Sequence, residues 1–223
     1  MDVLVAGADS QLGRTVAEAC RAAGHQVVVS GMRRDELELV AKELDVDAIV
    51  CDPTDPAGLA EAKLRFPQHL DTIISVPVPA GLDGDPRAYN LGETAAAWRS
   101  AFDRIVIAAV LTVQAAGDNL RSGGSIVTVV PDSATDSGPE GAAKSALANW
   151  TAGVADHFGT RGITINTVAC GRATLPGYDG LGGHAPQTND EIARLALFLT
   201  TPAARHITGQ TLHVGRGAAV AFR

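Results

Sequence analysis

Short apolar runs alternate with amphipathic stretches along the whole chain. The runs at 2–6, 26–30, 47–51, 71–76, 125–130, 163–168 and 210–214 read as strands. Between them the apolar spacing lengthens to the helical period, over 11–23, 35–44, about 57–65, about 95–120, 138–158 and 190–199. In the first of these helices Leu12, Val16, Ala17 and Cys20 share one face, and Gly24 supplies the stop. Most strand runs are apolar at successive positions rather than at alternate ones. Such strands are buried on both faces, as in a parallel sheet covered by helices on each side. Right-handed crossovers then give a doubly wound α/β sheet of about seven strands. No repeat or linker divides the pattern, so one domain over 1–223 is expected. The longest irregular stretches, 77–92 and 171–183, are expected to line a site, because loops on a rigid α/β scaffold usually do.

Composition narrows the function classes. The chain has 223 residues, 46% hydrophobic and 19% charged, which excludes a disordered polymer. Its net charge of −7 disfavours a nucleic-acid or anionic-membrane partner. The richest apolar run, 105–113, is half of the ~18 residues that a membrane span needs. The first residues show no basic-then-apolar leader, so a cytoplasmic location is expected. Cys20, Cys51 and Cys170 are few and far apart, which suits a reducing compartment. The six histidines are scattered, and no metal site is expected.

The first strand runs directly into Gly7-Ala8-Asp9-Ser10-Gln11-Leu12-Gly13, which opens the first helix. A helix N-terminus after a glycine turn is where a dinucleotide pyrophosphate sits. Gly7 permits the turn, and Gly13 lets the helix approach the sheet. The middle glycine is absent: Ser10 or Gln11 stands there, and Asp9 is an unusual neighbour for a phosphate. A side chain at Gln11 narrows the approach to the phosphates. The second strand ends in Ser30-Gly31-Met32-Arg33-Arg34, with no carboxylate at its tip. Arg33 and Arg34 suit a 2′-phosphate, which points to NADP(H) rather than NAD(H). The plainer reading is a solvated arginine pair opening a helix.

At this point the chain resembles the short-chain dehydrogenase/reductase family over essentially its whole length. Gly7 to Gly13 looks like the family's glycine motif, in a form similar to that of the nucleotide-sugar reductases. Asp52-Pro53-Thr54-Asp55 resembles the segment after strand three, where the resemblance implies an adenine contact for Asp52, with Pro53 beside it. Trp98 to Gln114 matches the long fourth helix, and Gly124 to Val129 the fifth strand. The stretch from Arg161 to Gly171 resembles the sixth strand and the loop under the nicotinamide. Glu191 to Leu199 and Ile207 to Val214 match the C-terminal helix and strand. The nearest overall likeness is to the 3-oxoacyl-carrier-protein reductases. The resemblance implies a Rossmann-type sheet and a dinucleotide cofactor held by Gly7, Asp9, Ser10, Gln11, Leu12, Gly13, Arg33, Arg34, Asp52, Pro53, Ser75, Lys144 and Gly171.

The chemistry half departs from the family pattern. The family uses an Asn, a Ser, a Tyr and a Lys, with the Tyr four residues before the Lys. Here Lys144 is present, and Glu140 stands in the Tyr register. Pro131 falls at the Ser position, with Ser133 two residues on, and Ile105 falls at the Asn position. Ser75-Val76-Pro77-Val78 replaces the Asn-Asn-Ala-Gly after strand four, and Cys170-Gly171 replaces Pro-Gly. A carboxyl with a reference pKa near 4.3 would need a rise of about 3 units to donate a proton at pH 7, and a lysine nearby works against that. The simpler expectation is a Glu140–Lys144 ion pair at i, i+4. Ser133 and Tyr178 are candidate substitute hydroxyls, and each is also an ordinary loop residue.

Three functions follow from these residues. The first is an NADP(H)-binding relative without redox catalysis, acting as a sensor or as a subunit beside an active partner. The second is an NADPH-dependent carbonyl reductase or alcohol dehydrogenase with a substitute acid. The third is a non-redox enzyme in which Glu140 is the base. The resemblance also implies a homodimer or homotetramer paired through the fourth and fifth helices, or a heteromer with an active relative. Phe102, Trp150 and Phe158 either supply that interface or pack in the chain's own core.

Overall fold

A computed structural model of the chain describes residues 1–78, 86–130, 138–170 and 188–214. The apolar runs become seven strands: β1 (Asp2–Ala6), β2 (Gln26–Gly31), β3 (Asp47–Val50), β4 (Leu70–Ser75), β5 (Leu120–Val130), β6 (Thr164–Cys170) and β7 (Thr211–Val214). They form one sheet in the order β3-β2-β1-β4-β5-β6-β7, parallel at every pairing. The helices are α1 (Gln11–Ala22), α2 (Arg34–Leu44), α3 (Pro56–Lys63), α4 (Leu91–Phe102), α5 (Ala108–Ala116), α6 (Pro139–Gly159) and α7 (Thr188–Leu199). The order reverses between β1 and β4, so a crevice opens there at the carboxyl ends of the strands.

Successive strand residues do face two cores. On one side Val3, Val5, Val27 and Val29 pack with Leu12, Val16 and Cys20 of α1, Leu37 and Val40 of α2, and Ile192 and Ala196 of α7. On the other, Leu4, Ile49, Ile73, Ile126 and Ile165 pack with Leu59 of α3 and Val113 of α5. Trp150 and Phe158 of α6 lean on this second core while partly buried, and Phe102 leans on a third cluster around Ile105, Ala143 and Leu147. These aromatics therefore serve the chain's own packing. Gly24, at φ +81°, follows the C-cap of α1 as its stop signal predicts.

Two elements differ from the sequence expectation. The helix expected over 95–120 is broken by a π-helical segment, Asp103–Ile107, between α4 and α5. Together with a closing turn the helical span runs Leu91–Asn119, and by length and composition it could cross a membrane. Its Ala101, Ile105, Ala108, Ala109, Thr112 and Val113 are buried against the protein, which is the behaviour of a core helix. Strand β5 begins at Leu120 instead of 125, with a register shift against β4 between Leu70 and Thr72. Gly123 turns there at φ +77°, and its neighbour Gly124 lies so near the Asp71 carbonyl that a Cβ would stand 2.8 Å away.

Candidate functional site

The crevice is built on the β1–α1 turn. The amides of Gly7 and Ala8 donate to the Ser30 carbonyl at 2.8 and 3.1 Å, and the Val76 amide donates to the Ala6 carbonyl at 2.8 Å. The turn is thereby pinned across the ends of β1, β2 and β4. Gly7 has φ +85°, and a Cβ there would overlap the Val76 carbonyl oxygen. A Cβ on Gly13 would overlap the Gly7 carbonyl oxygen, so α1 seats directly on the turn. Ser10 is the N-cap: its hydroxyl accepts from the Gly13 amide at 3.0 Å and donates to the Gly7 carbonyl at 2.8 Å. The amides of Gln11 and Leu12 have no intrahelical acceptor and α1 has no acid in its first turn, so they are available to an anion. Gln11 is exposed at the first helical position, while Leu12 is buried. The Gln11 side chain thus stands in solvent and does not fill the turn.

Asp9 and Arg33 form the least expected feature. The Asp9 side chain is only 1% exposed and accepts from the Arg33 amide at 3.0 Å and from Arg33 Nε at 3.3 Å. Arg33 also donates to the Asp9 carbonyl and, at 3.3 Å, to Glu36. The carboxylate fits because the facing residue is Gly31: a Cβ there would overlap Asp9 Oδ1. The second arginine, Arg34, donates to the exposed Glu38 at 3.2 Å. Both guanidinium groups are thus engaged with carboxylates, not a free pair: Arg33 with Asp9 across the β1–β2 register and with Glu36, and Arg34 with Glu38 one turn on along α2.

Beside the turn lies an open cavity lined by Gly7, Asp9, Gly31, Met32, Cys51, Asp52, Pro53, Leu59, Phe66, Ser75, Val76, Arg104, Ala108 and Thr112 among others. It brings together five of the thirteen expected cofactor residues, Gly7, Asp9, Asp52, Pro53 and Ser75; Ser10, Gln11, Leu12, Gly13, Arg33, Arg34 and Lys144 are not among its lining residues. Asp52 Oδ1 accepts from the Thr54 amide and hydroxyl at 2.8 and 2.7 Å, an Asx turn that fixes the carboxylate at the cavity wall. Burial pushes the Cys51 thiol up from its usual range, so it is an unreactive wall residue. The sequence reading missed Arg104, Met32, Ala108 and Thr112. No spacing rule pointed to them, because their presence here depends on where α4 and α5 cross the sheet.

The expected chemistry residues fare differently. Glu140 and Lys144 are half-buried on the first turns of α6, yet the ion pair expected between them is not among those formed by the described residues. The i, i+4 spacing permits such a pair without enforcing it, and Lys144 has other interactions. Ile105, expected from the sequence to take the family's Asn position, is fully buried with Ala101, Ala109, Val130, Ala143 and Leu147. Pro131, Ser133, Gly171 and Tyr178 lie outside the described residues, as does the stretch 171–183. Cys170 ends β6. Among the described residues no group of three or more His, Cys, Asp or Glu side chains could hold a metal.

A parallel sheet with a glycine turn at its switch point and a cavity beside it defines a dinucleotide-fold protein. The comparisons take this one step further. A family model described as enoyl-(acyl carrier protein) reductase matches residues 6–219, and the chain belongs to the short-chain dehydrogenase/reductase family. It is 61% identical over 222 residues to the "Putative oxidoreductase Rv1856c" of Mycobacterium tuberculosis, with 100% of each chain covered. It is 24% identical to the 3-oxoacyl-[acyl-carrier-protein] reductase of Rickettsia bellii, covering 96% of this chain and 95% of that protein. Among solved structures it is similar to a Burkholderia cenocepacia short-chain dehydrogenase in complex with NADP, at TM-score 0.77 and 26% identity, covering 96% of this chain and 95% of that one.

Proposed function

We propose that this protein binds NADP(H) and lacks the family's usual redox chemistry, serving as a sensor or as the partner subunit of an active relative. The observation that carries the binding half is the β1–α1 cradle. Two glycines admit no Cβ, α1 opens with amides that have no intrahelical acceptor, and the cavity beside the turn presents Asp52 and Ser75. A pyridine dinucleotide fits this donor set: Gln11 and Leu12 amides for the pyrophosphate, and the Asp52 carboxylate for an adenine amine. The preference for NADP(H) rests on the carboxylate-free tip of β2 and on the NADP held by the Burkholderia relative. Of the two arginines, Arg34 is the one assigned to the 2′-phosphate. Its exposed pair with Glu38 is worth only about 0.3–0.5 kcal/mol, so exchange for a phosphate costs little. Arg33 would have to abandon a buried carboxylate.

The loss of redox chemistry is supported by the buried apolar Ile105 and by Glu140 in the tyrosine register. The proposal extends to a cytoplasmic homodimer or homotetramer, or a heteromer, paired through α4 and α6. Trp98 and Leu91, which are 42% and 90% exposed and one heptad apart on α4, support such pairing. Calorimetric titration with NADPH and NADH, followed by a carbonyl-substrate screen, tests the reading. Tight NADPH binding with no turnover is expected. Turnover by an ordinary carbonyl substrate would overturn the impaired-enzyme half, and absence of binding by either nucleotide would overturn the whole.

A further inference from the structure

One guanidinium at the cavity, that of Arg104, has no carboxylate partner among the described residues. Arg104 lies in the π-helical segment between α4 and α5 and lines the same cavity as Asp52 and Pro53. Its hydrogen-bond partner among the described residues is the Met32 thioether, at 3.6 Å from Nη1. A thioether is a weak acceptor, so this contact positions the guanidinium without satisfying it. The contrast with its neighbours is sharp: Arg33 and Arg34 are both held by carboxylates. Met32 follows directly on the tip of β2, so the Arg104–Met32 contact spans the cavity mouth from the helix side to the sheet side.

The walls beneath that contact say what it covers. Pro53, Leu59, Phe66, Val76 and Ala108 make a largely apolar slot, and Asp52 stands at its edge with a carboxylate fixed by Thr54. An apolar slot with a carboxylate at its rim repels a phosphate and suits a flat base bearing an amine. A guanidinium is planar, weakly hydrated and stacks on aromatic faces, as an ammonium does not. The π segment contributes by shifting the helical phase within one turn, so that Arg104 lines the cavity while the adjacent Ile105 stays wholly buried.

We propose that Arg104 is a stacking clamp for the adenine base of a bound nucleotide, closing over the slot between Met32 and Pro53. This rests on the dinucleotide reading above and adds to it a residue and an interaction that the glycine turn does not supply. The clamp recognises the base face, so it acts on adenosine 5′-monophosphate as well as on the intact dinucleotide, and it does not act on nicotinamide mononucleotide.

The test is titration calorimetry of the full chain with NADPH, adenosine 5′-monophosphate and nicotinamide mononucleotide, in wild type, R104A and R104K. R104A is expected to weaken NADPH and the adenosine monophosphate by roughly 5- to 30-fold, the range of a desolvated cation–π contact. Nicotinamide mononucleotide is expected to be unchanged. R104K keeps the charge and loses the plane, so it is expected to recover only part of the affinity that R104A loses. Arg104 is partly exposed and makes no ion pair with the described residues, and the variants are expected to melt within a degree or two of wild type. Wild-type affinity for the adenosine monophosphate in R104A would overturn the clamp alone. Full rescue by R104K would show a charge contact to phosphate and overturn the stacking. Failure of wild type to bind NADPH or the monophosphate would overturn the dinucleotide reading and the clamp with it.

Discussion

Arg33 and Arg34 adjoin in sequence, yet the structure gives them opposite burdens. Asp9 is buried at 1% side-chain exposure, and Arg33 neutralises it. R33A leaves that carboxylate with only the backbone amide of residue 33 as donor. Because Arg33 is itself 45% exposed, water relieves part of the penalty, and a loss of about 1–3 kcal/mol is expected. R34A breaks only an exposed pair, and its stability should stay within about 0.5 kcal/mol of wild type. Urea unfolding of both variants checks the contrast, and a similar loss in each would refute it. The same logic separates two buried threonines. Thr128 Oγ1 on β5 has no hydrogen-bond partner, whereas the Thr151 and Thr167 hydroxyls bond each other at 2.8 Å. T128V removes an unmet group at nearly constant volume and should stabilise by up to about 1 kcal/mol. T151V strands the Thr167 hydroxyl and should cost about 1–2 kcal/mol. Their unfolding midpoints should move in opposite directions.

Among the elements, the β1–α1 turn tolerates least. A Cβ on Gly13 overlaps the Gly7 carbonyl oxygen and comes within 2.9 Å of the Ala8 Cα, all of it backbone pinned to β2. G13A should cost about 2–4 kcal/mol and remove nucleotide binding, since relief requires lifting α1 off the turn that presents its amides. A G13A protein of wild-type melting temperature and affinity would mean that the turn is softer than its packing indicates. This turn was legible in sequence because the glycines sit where a strand's apolar run meets a helical period. The strands were legible for the same reason: runs such as Val27 to Val29 are apolar at every position. The π segment was not. From Ile105 to Val110 every residue is apolar, so the pattern has no polar face whose phase could slip visibly. The Asp9–Arg33 pair was equally hidden, because it joins residues 24 apart through the register of β1 on β2. Sequence showed both charges, and the structure shows that they address each other. The candidate chemistry was half legible: the apolar character of Ile105 was plain in sequence and its side chain lies in a core cluster, while the Glu140–Lys144 pair, read from spacing alone, is not among the ion pairs formed between described residues.

For the whole molecule, the cradle and cavity join β1, β2, β3, β4 and α5 at the carboxyl end of the sheet, beside the point where its strand order reverses. A ligand held there touches both sides of the switch point and is lost on unfolding, so its binding energy adds directly to stability. At a free concentration 100 times its dissociation constant, a ligand that binds only the folded chain contributes about 2.7 kcal/mol. For a domain of this length each kcal/mol raises the melting temperature by roughly 2–4 °C, so NADPH at that excess should raise it by roughly 5–11 °C. NADH at the same concentration should raise it markedly less, because it lacks the phosphate assigned to Arg34. R34A should bring the two curves together without lowering the unliganded melting temperature. That last condition matters, because Arg33 cannot meet it: its loss unseats Asp9 and moves the unliganded curve as well. Equal shifts from NADPH and NADH in wild type would refute the assignment of Arg34. The cofactor preference proposed for Arg34 and the stability that Arg33 lends to the buried Asp9 are thus separable in a single thermal series.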